Sequence, residues 1–339
     1  MFLKRILALG LILTLCFSAA GCFVDKQWDD WNHTAPETLL PPEKDQPQGV
    51  GEDATISAVK PLLYKVTDED GHILWLFGSI HTGREDFYPL PDYVTDAFES
   101  AEILAVEVDI IAFSQDREAR TKAIRELRYP EGTNVKDYIP EELYNEAVAL
   151  LTEAGNYDPG LINYMPVLWS DYVDSAASSK QSVKNAQSVD QYILNMAYQQ
   201  KKEIKDIESG KFQYSMMASF SPELQQLLLE QSIAEYKAGT SQETTQHLQE
   251  LWAKGDGEAL SELLNMTDSV DDPQQQALYA EYKQTMFTKR NDTMTKFAQY
   301  ALSHGEETFI CVGAGHICGE TGLARQLADL GYTVERITG

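Results

Sequence analysis

Apolar and polar positions along the chain fall into three regimes. Ile6 to Phe17 is an almost unbroken apolar run. Residues 23–58 carry no sustained period and are rich in proline, glycine, aspartate and glutamate. From about residue 59 onward, short apolar runs alternate with longer amphipathic stretches. In the segment PLLYKVTDEDGHILWLFGSIH, an extended LLYKV, a turn at Asp68–Gly71 and an apolar ILWLFGSI predict a β-hairpin. PDYVTDAFESA (91–101) places Tyr93, Val94, Ala97, Phe98 and Ala101 at helical spacing, with Pro91 at an early helical position. ILAVEVD (103–109) returns as a buried-type strand, so strand, helix and strand form a βαβ unit with parallel strands.

The middle of the chain is helical. REARTKAIRELR, PEELYNEAVALLTEAG, PVLWSDYVDSAA, VDQYILNMAYQQKK, SPELQQLLLEQSIAEY, TTQHLQELWAKG and GEALSELLN all carry amphipathic spacing with caps or glycine stops. KEIKDIES (202–209) reads as a short strand, and a longer helix runs from about Pro273 to His304. TFICVGAG, ETGLARQLADLG and YTVERI then supply a second strand–helix–strand unit. The expected fold is α/β: one mixed sheet built from N- and C-terminal βαβ units, with a large helical cap inserted at about residues 112–305 of a domain spanning 59–339.

The N-terminus changes the picture of where the domain resides. Lys4 and Arg5 precede the apolar run, which is short for a membrane span, and small residues follow it. Residues 1–21 therefore read as an export signal. Ser18-Ala19-Ala20-Gly21-Cys22 resembles a bacterial lipobox, which implies cleavage before Cys22 and acylation of its thiol. The expected location is the extracytoplasmic face of a cell membrane, lipid-anchored, with residues 22–58 as a flexible tether. His33 lies in that tether.

The net charge is −26, with 53 acidic against 27 basic residues. Such a surface repels phosphate backbones and excludes nucleic acid as a partner. It also disfavours electrostatic adsorption to anionic lipid, which leaves membrane attachment to the acyl chains. Cys311 and Cys318 admit either a disulfide or two buried thiols.

Candidate chemistry gathers where strands end. His81 follows ILWLFGSI, Glu107 and Asp109 end ILAVEVD, Glu208 follows KEIKDI, and His316 follows TFICVGAG. In an open α/β sheet, groups at the carboxyl ends of parallel strands converge on one crevice. Both histidines stand in Gly-x-x-His motifs, where Gly78, Gly313 and Gly315 let the chain turn and leave the site uncrowded. A single histidine after a strand is ordinarily a surface or capping residue; two in matching contexts point to a shared site. Two imidazoles with one or two carboxylates suit a divalent ion such as Zn²⁺, Mn²⁺, Co²⁺ or Fe²⁺. An ion with an open position would lower the pKa of a bound water, and a remaining carboxylate would act as base.

Other readings fare less well. VGAGHICGETG has neither the P-loop Lys-Ser/Thr nor a GxGxxG fingerprint, and neither a Gly-x-Ser-x-Gly elbow nor a His-Glu-x-x-His helix occurs. His72 and His247 read as surface residues, and Met216 and Met217 as core.

LFGSIHTG with ILAVEVD, and CVGAGHICGETGLARQLADLGYTVERI, resemble the TraB/GumN family over roughly residues 60–339. SVDQYILNMA with KEIKDIES resembles the family's Gly-x-Asp…Leu-Glu-Thr segment, with Ser188 and Ser209 as departures, and KRNDTM resembles its Arg-Asn element. The resemblance implies a fold related to the erythromycin-esterase and ChaN-like group. Its TIKI branch consists of membrane-tethered metalloproteases, which implies a Mn²⁺- or Co²⁺-dependent hydrolase cutting peptide bonds. The site positions it implies are His81, Glu107, Glu208, Arg290, Asn291 and His316. His81 and His316 would serve the metal, Glu107 and Glu208 would be ligand and base in either order, and Arg290 would stabilise an oxyanion or form a structural ion pair. Asp109 would be a supporting or structural residue. The expected partner is a peptide or small-molecule substrate; the alternative is a non-enzymatic lipoprotein that binds a small ligand, a metal or haem.

Overall fold

A computed structural model describes residues 59–179, 186–265 and 270–339. The export signal, Cys22, the tether and His33 lie outside the described residues. Six strands form one sheet: β1 (Leu63–Thr67), β2 (Ile73–Ser79), β3 (Ile103–Val106), β4 (Glu203–Asp206), β5 (Thr308–Gly313) and β6 (Thr333–Ile337). Their order is β4-β3-β5-β2-β1-β6. β2, β5, β3 and β4 run parallel, whereas β1 is antiparallel to both its neighbours, β2 and β6. The sheet is mixed, and both ends of the chain contribute to it.

Helix α1 (Asp92–Ser100) links β2 to β3. The insertion then runs through α2 (Ile110–Gln115), α3 (Arg117–Glu126), α4 (Glu141–Glu153), α5 (Pro166–Ser179) and α6 (Val189–Gln200) before β4. It continues through α7 (Gly210–Ala218), α8 (Pro222–Ala238), α9 (Ser241–Lys254), α10 (Gly257–Asn265) and α11 (Pro273–Lys283). The expected long helix from Pro273 is interrupted by a π-helical turn at Gln284–Thr288 before α12 (Lys289–Ser303) resumes. A single turn, α13 (Ala314–Ile317), follows β5, and α14 (Leu323–Asp329) precedes β6.

Alternation along the strands divides the apolar side chains between two faces. Phe77, Leu104 and Phe309 join one cluster with insertion residues such as Trp169 and Trp252. Leu76, Ala105 and Ile310 join a second with Met294 and Phe297 of α12 and Leu323 of α14. Strands buried on both faces are apolar throughout, which is why ILWLFGSI and TFICV show no alternation. Among the described residues, no helix is long and apolar enough to cross a membrane.

Two strand ends differ from expectation. The regular strand β3 ends at Val106, so Glu107 and Asp109 lie beyond it rather than on a strand running to residue 109. Asp109 instead caps α2, accepting from the amides of Ile111 and Ala112, and accepts from Tyr198 Oη at 2.5 Å. Likewise β5 ends at Gly313, and His316 rides on α13. Cys311 and Cys318 are both free and buried.

Candidate active site

Backbone pairing beyond the strand ends sets the site. The amides of Ile207 and Glu208 donate to the carbonyls of Val106 and Glu107 at 2.8 and 2.9 Å. This continuation of the β3–β4 pairing holds Glu107 and Glu208 side by side. Just after the π-helical turn, of a kind frequent at functional sites, the first turn of α12 places Arg290 against both. Arg290 Nε donates to Glu208 Oε1 at 2.7 Å, Nη2 to Glu208 Oε2 at 2.8 Å and to Glu107 Oε2 at 2.5 Å, and Nη1 to the Met286 carbonyl at 3.1 Å. Gln213 Nε2 adds a bond to Glu208 Oε2 at 3.0 Å. Glu208 is thus enclosed behind Arg290 and does not line the central cavity, whereas Glu107 and Arg290 do.

His81 is fixed from the other side. The Val189 amide donates to the Ile80 carbonyl at 3.1 Å, docking the start of α6 against the end of β2. Asp190, in the first turn of α6, then pairs its Oδ2 with His81 Nδ1 at 2.7 Å, while Ser79 Oγ donates to Asp190 Oδ1. Burial pulls the His81 pKa down, but the neighbouring Asp190 carboxylate outweighs it and the net shift is upward.

His316 sits deeper, with 5% of its side chain exposed against 30% for His81. The cavity therefore opens at His81 and has His316 in its floor. Asn291 Nδ2 donates to the Thr321 carbonyl at 2.7 Å, which leaves Asn291 Oδ1 as an acceptor 2.6 Å from His316 Nδ1. That arrangement assigns the proton to Nδ1 and leaves a lone pair on Nε2. Burial, reinforced by the Arg290 charge, pushes the His316 pKa down to about 3, so the ring is neutral. Its Nε2 lies 3.7 Å from Glu107 Oε1. Glu107 is buried, which would raise its pKa, yet Arg290 and then the two histidines hold it well below the ordinary carboxylate range. Its Oε1 also accepts from the Gly313 amide at 2.8 Å.

The two histidines and Glu107 face one space. A β-carbon placed on Gly313 would stand 3.4 Å from Glu107 Oε1, 3.7 Å from His316 Cδ2 and 3.8 Å from His81 Nε2. None of Gly78, Gly313 and Gly315 has positive φ, so sharp turning is not what these positions require. They serve close approach instead. A β-carbon on Gly78 would meet Ala314 Cα at 3.1 Å, and one on Gly315 would meet Phe287 Cε1 at 2.7 Å. The repeated Gly-x-x-His thus has a steric origin: one glycine lets α13 cross the end of β2, and Gly313 keeps the space between the imidazoles clear.

Sequence reasoning singled out neither Asp190, Ser79 nor Gln213. By local chemistry an acidic residue just after the helix-capping Ser188 looks like ordinary helix-start chemistry; the signal that could have found Asp190 is its place as the Asp of the Gly-x-Asp segment that SVDQY resembles.

The donor set suits a divalent ion. Each imidazole has its Nδ1 engaged by an acceptor, the pattern that orients metal-ligating histidines, and an ionised carboxylate stands beside them. The three groups are spaced more widely than a closed ligand shell. Among the described residues, the one group of three potential ligands within 4.8 Å of one another is Asp68, Asp70 and His72 on the β1–β2 turn. There Asp68 is already engaged by the amides of Asp70 and His72 and by the His72 ring.

Fold and site together define an α/β protein with a helical insertion, whose parallel strand ends gather two oriented imidazoles and a pair of arginine-bridged carboxylates. The chain belongs to the TraB/PrgY/gumN family, whose model matches residues 62–336. No curated protein and no solved structure matches the chain.

Proposed function

We infer that the protein is a metal-dependent hydrolase acting on a peptide or related acyl bond, held at the outer face of a membrane through an acylated Cys22. The observation that carries the reading is the convergence of His81 Nε2, the His316 ring and Glu107 Oε1 on the space that a Gly313 side chain would fill. His81 and His316 would hold the ion, with Glu107 Oε1 beside them. A bound divalent ion would supply a water of lowered pKa and polarise the scissile carbonyl.

The protein's own groups have separable tasks. Asn291 and Asp190 orient the two rings and turn their Nε2 atoms toward the cavity. Glu107 Oε1, kept ionised by Arg290, is placed to accept a hydrogen bond from the attacking water and orient it. Arg290 keeps that carboxylate charged and placed, and Glu208 with Gln213 holds Arg290. With its nitrogens on Glu107, Glu208 and the Met286 carbonyl, Arg290 is a structural ion-pair centre rather than an oxyanion donor. The cavity, of about 110 Å³, is too small for a porphyrin, which disfavours the haem-carrier alternative.

The test is calorimetric titration of the metal-stripped protein with Mn²⁺, Co²⁺ and Zn²⁺, followed by mass-spectrometric analysis of a peptide library incubated with the loaded enzyme. Micromolar or tighter binding, lost in His81→Ala and His316→Ala, together with metal-dependent cleavage is expected. Absence of metal binding in the unmutated chain ends the reading; binding without cleavage reduces it to a metal-binding lipoprotein.

A further inference from the structure

The chemistry of the cavity walls constrains what enters it. Around His81, His316 and Glu107 the walls are largely aliphatic and aromatic, with Leu194, Met216, Leu248, Leu264, Met286 and Phe287 among them. Leu248 comes from α9 and Leu264 from α10, so the helical insertion shapes the space opposite the sheet. The absent side chain of Gly315 brings Leu264 and Phe287 close over the residue next to His316, where a β-carbon would stand 3.0 Å from Leu264 Cδ1.

Charge sharpens the constraint. Among the described lining residues, Arg290 is the only lysine or arginine, and its nitrogens already donate to Glu208, Glu107 and the Met286 carbonyl. An anionic group entering here would meet Glu107 and Asp190 with that guanidinium already engaged. A cationic group would meet carboxylates already paired, with Arg290 and with His81, and would lose its hydration against apolar walls. A volume of about 110 Å³ is of the order of the roughly 150 Å³ apolar cavity that takes up benzene in an engineered protein core.

Resting on the hydrolase reading for the bond that is cut, we propose that this cavity receives one uncharged apolar side chain, of leucine to phenylalanine size, flanking that bond. Leu248 and Leu264 are the residues that select it. A charged side chain at this position would lose its hydration against the same apolar walls.

Binding of capped single residues to the metal-free full chain tests the preference without requiring turnover. N-acetyl-leucinamide, N-acetyl-phenylalaninamide, N-acetyl-aspartamide and N-acetyl-lysinamide are titrated into the millimolar range and followed by saturation-transfer NMR. The apolar probes should bind about ten-fold or more tightly than the charged ones. Leu264→Asp should weaken the leucine probe by a similar factor and strengthen the lysine probe. If Leu264→Asp fails to fold, Leu248→Gln, expected to weaken the leucine probe, takes its place beside the ranking in the unmutated chain. Equal binding of the aspartate or lysine probe, unchanged leucine affinity in the folded variant, or no binding of any probe would each overturn the proposal. A failed metal titration with the probe ranking intact would sink the hydrolase reading and leave the selectivity standing; the reverse pattern would do the opposite.

Discussion

Arg290 and Glu208 form a two-point ion pair inside the protein, Nε to Oε1 at 2.7 Å and Nη2 to Oε2 at 2.8 Å, with side chains only 5% and 2% exposed. The same guanidinium also satisfies Glu107, so one cation compensates two carboxylates. Removing it would strand both. Arg290→Met is expected to destabilise the fold by about 3–5 kcal/mol, the range for breaking a buried pair from one side. Glu208→Gln added to Arg290→Met should recover part of the loss, because one uncompensated charge is removed. Urea unfolding midpoints measure both. A cost under about 1 kcal/mol for Arg290→Met would mean that the carboxylates find other compensation.

Among the described residues, a second set of buried acids has no such cation. Asp171 and Asp174 on α5 and Glu235 on α8 each leave one buried oxygen without a hydrogen bond from any described residue. Burial pushes Asp174 up to about 7, despite a hydrogen bond from Ser232, and burial with the nearby Asp174 pushes Glu235 up to about 9. Burial and then Asp174 also raise Asp171 well above the carboxylate range. Groups with raised pKa bind more protons when folded. Their stabilising contribution is complete below the unfolded carboxylate value near 4 and is lost as pH climbs through the folded values. Glu107 has the opposite sign, since its depressed pKa stabilises the fold above the ordinary range and fails only in acid. The urea midpoint should therefore fall between about pH 6 and about pH 9, by the equivalent of at least about 1 kcal/mol per group. Asp174→Asn with Glu235→Gln should flatten that slope. A wild-type midpoint that rises over this window would contradict the assignment.

Strand ends were legible where apolar runs are short and stop at a glycine or a charge. The hairpin, the two crossover units, the short strand at 203–206 and the places of His81 and Glu208 just past their strands follow from such boundaries, whereas β3 and β5 stop short of the expected ends, at Val106 and Gly313. Less legible was everything set by tertiary pairing. Arg290 lies 183 positions from Glu107 and 82 from Glu208, and no local pattern announces that it bridges them. Asp190 matches the Asp of the Gly-x-Asp segment, but its pairing with His81, 109 positions away, has no local signature. Asp171, Asp174 and Glu235 read as polar positions of amphipathic helices, yet the α5–α8 contact buries them. Periodicity identifies a helix but not how far its polar edge is covered by a neighbour.

Gly313 separates folding from function. Its φ of −51° is one that alanine adopts freely, and the contacts of an added β-carbon, 3.4 to 3.8 Å, are ordinary van der Waals distances. Gly313→Ala should therefore fold with a stability change within about 1 kcal/mol. The methyl would nevertheless stand between His81, His316 and Glu107. Metal affinity should drop by about ten-fold or more, with hydrolysis lost in parallel. By contrast, Gly83→Ala places a β-carbon 2.0 Å from the Gln187 carbonyl oxygen and should perturb the fold itself. Full metal affinity in Gly313→Ala would show that the ion, if bound, does not occupy this space.

The tautomer of His316 supplies the most direct check on the site. Asn291 Oδ1 is its acceptor because Asn291 Nδ2 is committed to Thr321, so Nε2 carries the lone pair that faces Glu107 and the cavity. Imidazole ¹⁵N shifts should report a protonated Nδ1 and an unprotonated Nε2 in the metal-free protein at neutral pH. Asn291→Ala removes the acceptor and frees the ring to rotate, which should weaken Mn²⁺ or Co²⁺ binding by about 10–100-fold. Asn291→Asp keeps an acceptor opposite Nδ1 and should retain more affinity than alanine. The comparison has a built-in control, since both variants lose the amide bond to Thr321 and so share its structural cost. If alanine and aspartate variants bind metal equally, the hydrogen bond to His316 does not orient a ligand, and His316 would lose its place in the proposed metal site.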